Sequence, residues 1–271
     1  MSNELLHILP PMHRLFAALL LLALTAGCGD DARGPMARAV TVAAASDLRH
    51  VLAAVIREFR RLHPDIDVQP TFAASGTLHA QIANGAPFDL FLAADIGYAE
   101  NLADEGLAAR DDVFRYGTGR LVVWVPQASA VDLQAGMRAL LDPAVRRISI
   151  ANPRHAPYGR AAEAALEHFG LRDRVQSKLV LGENVAEAAQ FVASGAADAA
   201  VIARSLAESP AMKPHGRAWI VPADAHPPLV HGGVVLAAAR DPAAARLFAT
   251  CVRGPEGQAI LRDHGFEVES D

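Results

Sequence analysis

Apolar and polar positions along this chain follow two alternating periods. Residues 40–45 are apolar but for Thr41, as expected of a strand covered on both faces. Leu48, Val51, Leu52, Val55, Ile56 and Phe59 then recur at spacings of three and four, which is one stripe of a helix, and His63-Pro64-Asp65 stops it. The pattern predicts a strand over 67–72, a helix over 77–83 ended by Asn84-Gly85, a strand over 89–93 and a helix over 98–105 closed by Gly106. A second series follows: strands over 120–125 and 148–150, a helix over 160–169 ended by Gly170, and a strand over 179–181. Asn184-Val185-Ala186-Glu187 has capping-box spacing and opens a helix to Gly195, before a strand over 199–203. Last come a strand over 234–238, a helix over 242–252, a break at Gly254-Pro255-Glu256-Gly257 and a final helix. Strands alternating with helices define an α/β fold. Two series closed by a returning C-terminal segment predict two lobes: residues 40–117 with 231–271, and residues 118–230. Crossings are expected near 116–121 and 229–234.

The first 27 residues stand apart from this pattern. Residues 15–26 are a run of about a dozen apolar residues, too short to span a bilayer and typical of a signal-peptide core. The run ends in Leu24-Thr25-Ala26-Gly27-Cys28, small residues followed by cysteine, which points to cleavage and lipidation at Cys28. The alternative is ordinary signal cleavage that leaves Cys28 an idle thiol. Met12-His13-Arg14 would make a more conventional start than Met1. Residues 28–39 mix Gly, Pro, Arg and Asp and read as a flexible tether.

Composition narrows the function classes. Hydrophobic residues make up 52% of the chain and aromatics only 6%, which suits alanine-rich helices packed closely on sheets. The net charge of −5, with no basic run, argues against nucleic acid as a partner. Beyond Cys28 the sole cysteine is Cys251, expected in a core, so no disulfide framework exists. Eleven histidines form no HxxxH or Cys/His cluster, which argues against a metal site. No Gly-x-Ser-x-Gly elbow presents a nucleophile, and Gly117-Thr118-Gly119 is too short for a dinucleotide fingerprint.

Two turns carry the candidate chemistry: Ala43-Ala44-Ala45-Ser46-Asp47-Leu48 and Phe72-Ala73-Ala74-Ser75-Gly76-Thr77-Leu78. Each places a serine where a strand gives way to a helix, beside backbone N–H groups without helical partners and the positive end of the dipole. Such a donor-only pocket suits an anion. The alternative for each serine is an ordinary N-cap, worth about 1 kcal/mol. The Asp47 carboxylate would repel a dianion, so its side chain is expected to turn back and cap the helix. Asp95 reads as a helix cap and His155 as a structural residue near the cleft.

With these turns, the blocks Gly85-Ala86-Pro87-Phe88-Asp89-Leu90-Phe91-Leu92-Ala93-Ala94-Asp95, Asn152-Pro153-Arg154-His155-Ala156-Pro157-Tyr158-Gly159 and 253–261 occur in a fixed order. In this the chain resembles the periplasmic molybdate-binding proteins of ABC importers over residues 40–268. The resemblance implies a two-lobed periplasmic binding protein fold (type II) with a ligand cleft between the lobes. It implies capture of molybdate or tungstate, delivery to an ABC transporter permease, no cofactor, no catalysis and a monomer on the periplasmic face of a bacterial membrane. Carried over by position, Ser46 and Ser75 offer hydroxyl and N–H donors. Asp47, Tyr158 and Val185 offer backbone N–H groups. A tyrosine that many relatives use as a hydroxyl donor falls at Ile202, so the Tyr158 hydroxyl is the candidate to compensate.

Neutral donors suffice for such a ligand. A tetrahedral dianion only accepts hydrogen bonds, whereas hydrogenphosphate carries a proton that would lack a partner, a loss of about 1–3 kcal/mol. Sulfate would be excluded by size, and tungstate would not be discriminated. Several charge-assisted bonds, less the cost of association, place Kd in the micromolar-to-nanomolar range, about −8 to −12 kcal/mol. Competing readings are a receptor of the same fold for another oxyanion or a ferric complex, an enzyme using Ser46 as nucleophile, and the effector domain of a transcription regulator.

Overall fold

A computed structural model describes residues 38–268. The expected signal peptide, most of the tether and Cys28 lie outside the described residues. The strands form two five-stranded sheets. In the first, β1 (Arg38–Ala45) pairs in parallel with β2 (Ile66–Ala73) and β3 (Leu90–Ala93). The returning strand β10 (Leu229–Leu236) runs antiparallel between β3 and β4 (Ala108–Gly119). In the second sheet β6 (Ile148–Ala151) lies parallel to β7 (Leu179–Gly182) and β8 (Ala199–Ala203). There β5 (Leu121–Pro126) runs antiparallel to β8 and β9 (Gly216–Ile220). The chain passes between the sheets at Gly119–Leu121 and again between β9 and β10.

Central strands β1, β3, β5, β6 and β8 are covered on both faces, so they read as near-continuous apolar runs, interrupted at Thr41 in β1 and Ser149 in β6. Edge strands differ. Beyond β10, β4 is paired among the described residues only by a bridge from Thr118 to Glu267, and its sequence Ala-Ala-Arg-Asp-Asp-Val-Phe-Arg-Tyr-Gly-Thr-Gly carries many polar residues. The edge strand β9 is half exposed. Neither has the apolar run that predicts a strand, and β10 starts five residues before the apolar run at 234–238 suggests. A 3₁₀ segment over Leu133–Leu141, kinked at Gly136 with a φ of 62°, is likewise absent from the periodic pattern.

Helices cover the sheets as their stripes require. In α1 (Arg49–Leu62) the predicted residues Val51, Leu52, Val55 and Phe59 are buried, and Phe59 meets Phe248 edge-on at 5.0 Å. Phe248 lies on α7 (Pro242–Arg253), which precedes the last helix, α8 (Pro255–Asp263). Cys251, on α7, is half-buried against the core, and burial, with Glu58 and Glu256 nearby, pushes its thiol up to about 11.

Asp89 ties the floor of the first lobe together. Its Oδ2 accepts from the Thr41 N–H and hydroxyl at 2.6 Å each, and its Oδ1 accepts from the Arg240 N–H at 2.7 Å. Burial alone would raise its pKa, but these bonds and the Arg240 charge hold it below the ordinary carboxylate range. A depressed folded-state pKa supplies stability above the unfolded value of about 3.9, which is lost as pH falls toward the folded value. Asp89→Asn turns an amide N–H₂ toward groups that are all donors. It is expected to cost about 1–3 kcal/mol at neutral pH and to flatten the acid limb of the stability profile, read by urea unfolding at pH 3 to 7.

Candidate functional site

The first turn follows directly from β1. Ser46–Leu48 forms one 3₁₀ turn before α1, with Ala45 as the capping position. The second follows β2, where Ala74 caps α2 (Ser75–Ala83) and Ser75 is its first residue. Neither serine acts as a side-chain N-cap. The Ser75 hydroxyl instead accepts the Ala94 N–H at 3.0 Å, from the end of β3. The Ser46 hydroxyl accepts the Ala186 N–H at 3.4 Å, from the other lobe. Because each oxygen already accepts, each hydroxyl proton is free to point elsewhere.

Two helix starts supply the second lobe's face. Pro157 opens α4 (Pro157–His168), with its missing N–H at a position that needs none, and Tyr158 follows. Asn184 caps α5 (Val185–Ala193) by accepting from Ala186 and Glu187 N–H, while Glu187 accepts from the Glu183 N–H. This leaves the Val185 N–H as the first unbonded donor of the helix.

These elements converge. Ser46, Asp47, Ser75, Tyr158 and Val185 all line one small, nearly closed pocket of about 10 Å³ between the sheets, and among the described residues no lysine or arginine lines it. All five are at least nine-tenths buried. Ile202, fully buried in β8, is not part of the lining.

Contacts between the lobes surround the pocket. The Gly76 N–H donates to the His155 carbonyl at 2.9 Å, and the Ser205 hydroxyl, on the short helix α6 (Arg204–Ala207), donates to the Asp47 carbonyl at 3.0 Å. At the mouth, Arg160 on α4 bonds Asp95 at 2.9 Å and the Tyr98 hydroxyl at 3.0 Å. Tyr98 stands on α3 (Gly97–Asp104), whose capping position is Ile96 rather than the expected Asp95; the Asp95 carboxylate accepts from the Gly97 N–H at 3.0 Å and bridges to Arg160. The His155 ring is held at 2.8 Å from the Glu183 carbonyl, a structural contact.

The Asp47 side chain departs from expectation. It does not cap the helix; its Oδ2 lies 2.7 Å from Nε2 of His231, on β10, and both side chains are fully buried. Capping loses because the turn points the carboxylate inward, where a partner from a distant strand is available. Tyr158 Oη and Asp47 Oδ1 are buried close to each other, and among the described residues neither makes a hydrogen bond of good geometry. Burial first, then the Asp47 charge, raises the Tyr158 and Tyr116 hydroxyls well above their usual range, so both stay protonated. Tyr116 donates to the Ala93 carbonyl at 2.9 Å. Sequence reasoning missed His231 and Arg160 because each acts through a partner far away in the chain.

Comparison with known proteins bears on this geometry. Residues 40–267 match the family model described as bacterial extracellular solute-binding protein. The chain is 34% identical over 248 residues to the molybdate-binding protein ModA of Azotobacter vinelandii, spanning 92% of this chain and 97% of that one. It is 33% identical to the ModA of Rhodobacter capsulatus, over 73% of this chain and 76% of the relative. The solved structure of the Azotobacter vinelandii periplasmic molybdate-binding protein superimposes with a TM-score of 0.80 at 32% identity, covering 85% of this chain and all of that one. The chain therefore belongs to the bacterial extracellular solute-binding proteins, and within them to the family of the ModA molybdate-binding proteins.

Proposed function

We propose that this protein captures molybdate, and tungstate equally well, outside the cytoplasm and delivers it to an ABC importer, performing no chemistry on it. The observation that carries this reading is the convergence of two serine hydroxyls and four helix or turn starts from both lobes on one small pocket without cationic side chains. In it, Ser46 and Ser75 donate from hydroxyl and N–H, and Asp47, Tyr158 and Val185 donate from the backbone. The Tyr158 hydroxyl stays protonated and packs beside Asp47 and Gly119. The pocket closes only when the lobes meet, so ligand binding favours the closed form that a permease recognises. The lobes are taken as residues 40–117 with 231–271 and residues 118–230. Cys28 is the proposed lipid anchor of a periplasmic monomer.

Calorimetric titration of the ligand-stripped protein tests the reading. One-to-one binding of molybdate and tungstate, with sulfate and phosphate silent, supports it. Heat from another anion alone would keep the receptor role and replace the ligand. That second reading draws on Ile202, whose aliphatic side chain cannot donate and lies away from the pocket lining.

A further inference from the structure

We propose that His231 is a positioning residue of the anion site: it shares one proton with Asp47, and the electroneutral pair lets the Ser46–Asp47 turn face a dianion without an opposing charge. The proposal rests on the oxyanion reading above.

Hydrogen-bond chemistry fixes the proton count. His231 Nδ1 lies 2.9 Å from the Leu229 carbonyl, which can only accept, so Nδ1 carries a hydrogen. Nε2 lies 2.7 Å from Asp47 Oδ2. A bare Nε2 against an ionised carboxylate would set lone pair against lone pair. Either Nε2 is also protonated and an imidazolium faces a carboxylate, or the carboxyl is protonated and donates to Nε2. In both cases the two side chains hold one proton between them, and their summed charge is zero.

The surroundings make this neutrality matter. Rings of Tyr116, Tyr158 and Phe266 stand edge-on to the imidazole at 5.6, 6.0 and 5.0 Å, and neither member of the pair reaches solvent. Tyr116 and Tyr158, the other titratable groups packed on the ring, remain neutral. A lone carboxylate in this dry cage would be poorly solvated and would act on a bound dianion almost unscreened. The cage depends on backbone detail. Register slips between His231 and Gly232, leaving Tyr116 as the extra residue of β4. A Cβ on Gly119, at the crossing between the sheets, would collide with Tyr158 Oη and His231 Cε1. The same Asp47 accepts the cross-lobe bond from Ser205 through its carbonyl, so fixing its side chain also fixes a contact made on closure.

Three variants and one spectroscopic measurement test the pair on the full-length folded domain. His231→Gln keeps a neutral donor but removes the compensating charge, and is expected to weaken molybdate binding at least 30-fold. Asp47→Asn, which removes the carboxylate charge itself, should weaken binding far less than His231→Gln does. The double variant should recover most of the affinity that His231→Gln loses, a rescue that a merely structural histidine would not allow. Parent-like affinity of His231→Gln, or no rescue in the double variant, overturns the proposal. Independently of any ligand, ¹⁵N NMR of the parent protein should show His231 Nδ1 protonated. An unprotonated Nδ1 overturns the proposal even if the variants fail to fold. A parent protein that binds no oxyanion would instead sink the function reading, while the NMR result still tests the Nδ1 protonation on which the proton count rests.

Discussion

Gly76→Val is expected to weaken molybdate binding at least 100-fold while leaving the ligand-free protein as stable as the parent. Gly76 is the second residue of α2 and is not among the glycines with positive φ, so the helix itself tolerates a side chain. Its hydrogen instead faces the other lobe. A Cβ would lie 2.8 Å from the His155 carbonyl oxygen and 2.9 Å from the Tyr98 hydroxyl, and the first of these is backbone that cannot swing aside. Overpacking of this kind costs about 1–3 kcal/mol, and the Gly76–His155 hydrogen bond across the cleft adds about 0.5–1.5 kcal/mol when lost. Together, about 3 kcal/mol against the closed form is roughly a hundredfold in affinity. With the lobes apart the His155 carbonyl is gone and only the Tyr98 hydroxyl, the far end of a side chain on the same lobe, has to shift, so thermal unfolding without ligand should move little. Small-angle scattering should show the variant failing to contract when molybdate is added. Contraction with parent affinity would mean that the lobes do not need this contact to close.

Ser75→Ala is expected to reduce both affinity and stability, and the combination is informative. The hydroxyl accepts the Ala94 N–H at 3.0 Å, which leaves its proton available to the pocket it lines. Loss of one charge-assisted bond of about 1.5–3 kcal/mol weakens binding roughly 10- to 150-fold. The Ala94 N–H is then left buried without its partner, at about 1–3 kcal/mol of folding stability. A plain N-cap would behave differently, with about 1 kcal/mol of stability lost and affinity unchanged. Calorimetry and urea unfolding on the same preparation separate the two. Ser75→Thr, which keeps the hydroxyl, should retain most of both quantities. Unchanged affinity in Ser75→Ala would remove Ser75 from the proposed ligand set.

The two results probe different halves of one device. In the proposed function, donors on the first lobe give the anion a place to land, and the cleft contacts convert landing into closure. Neither requires a formal positive charge beside the ligand, because helix and turn starts already present N–H groups at the positive end of the dipole. Such a site tolerates a carboxylate as near as Asp47 only if that charge is cancelled locally.

The sequence by itself determined the α/β alternation, the central strands and the placement of both serine turns. These features are local: apolar runs, three-and-four spacings, and Gly or Pro stops act within a few residues of where they are written. For the same reason 199–203 and β8 coincide, as do the stripe of α1 and its buried face. Edge strands β4 and β9 escaped because strand formation there depends on a neighbour's hydrogen bonds rather than on side-chain burial. Only the tertiary structure decided what the serine oxygens accept, that the Asp47 carboxylate turns away from its own helix, and that His231, far away in the chain, is its partner. Burial and pairing energies belong to the assembled core, where a buried polar group must find a partner wherever the fold brings one. No local pattern encodes that choice.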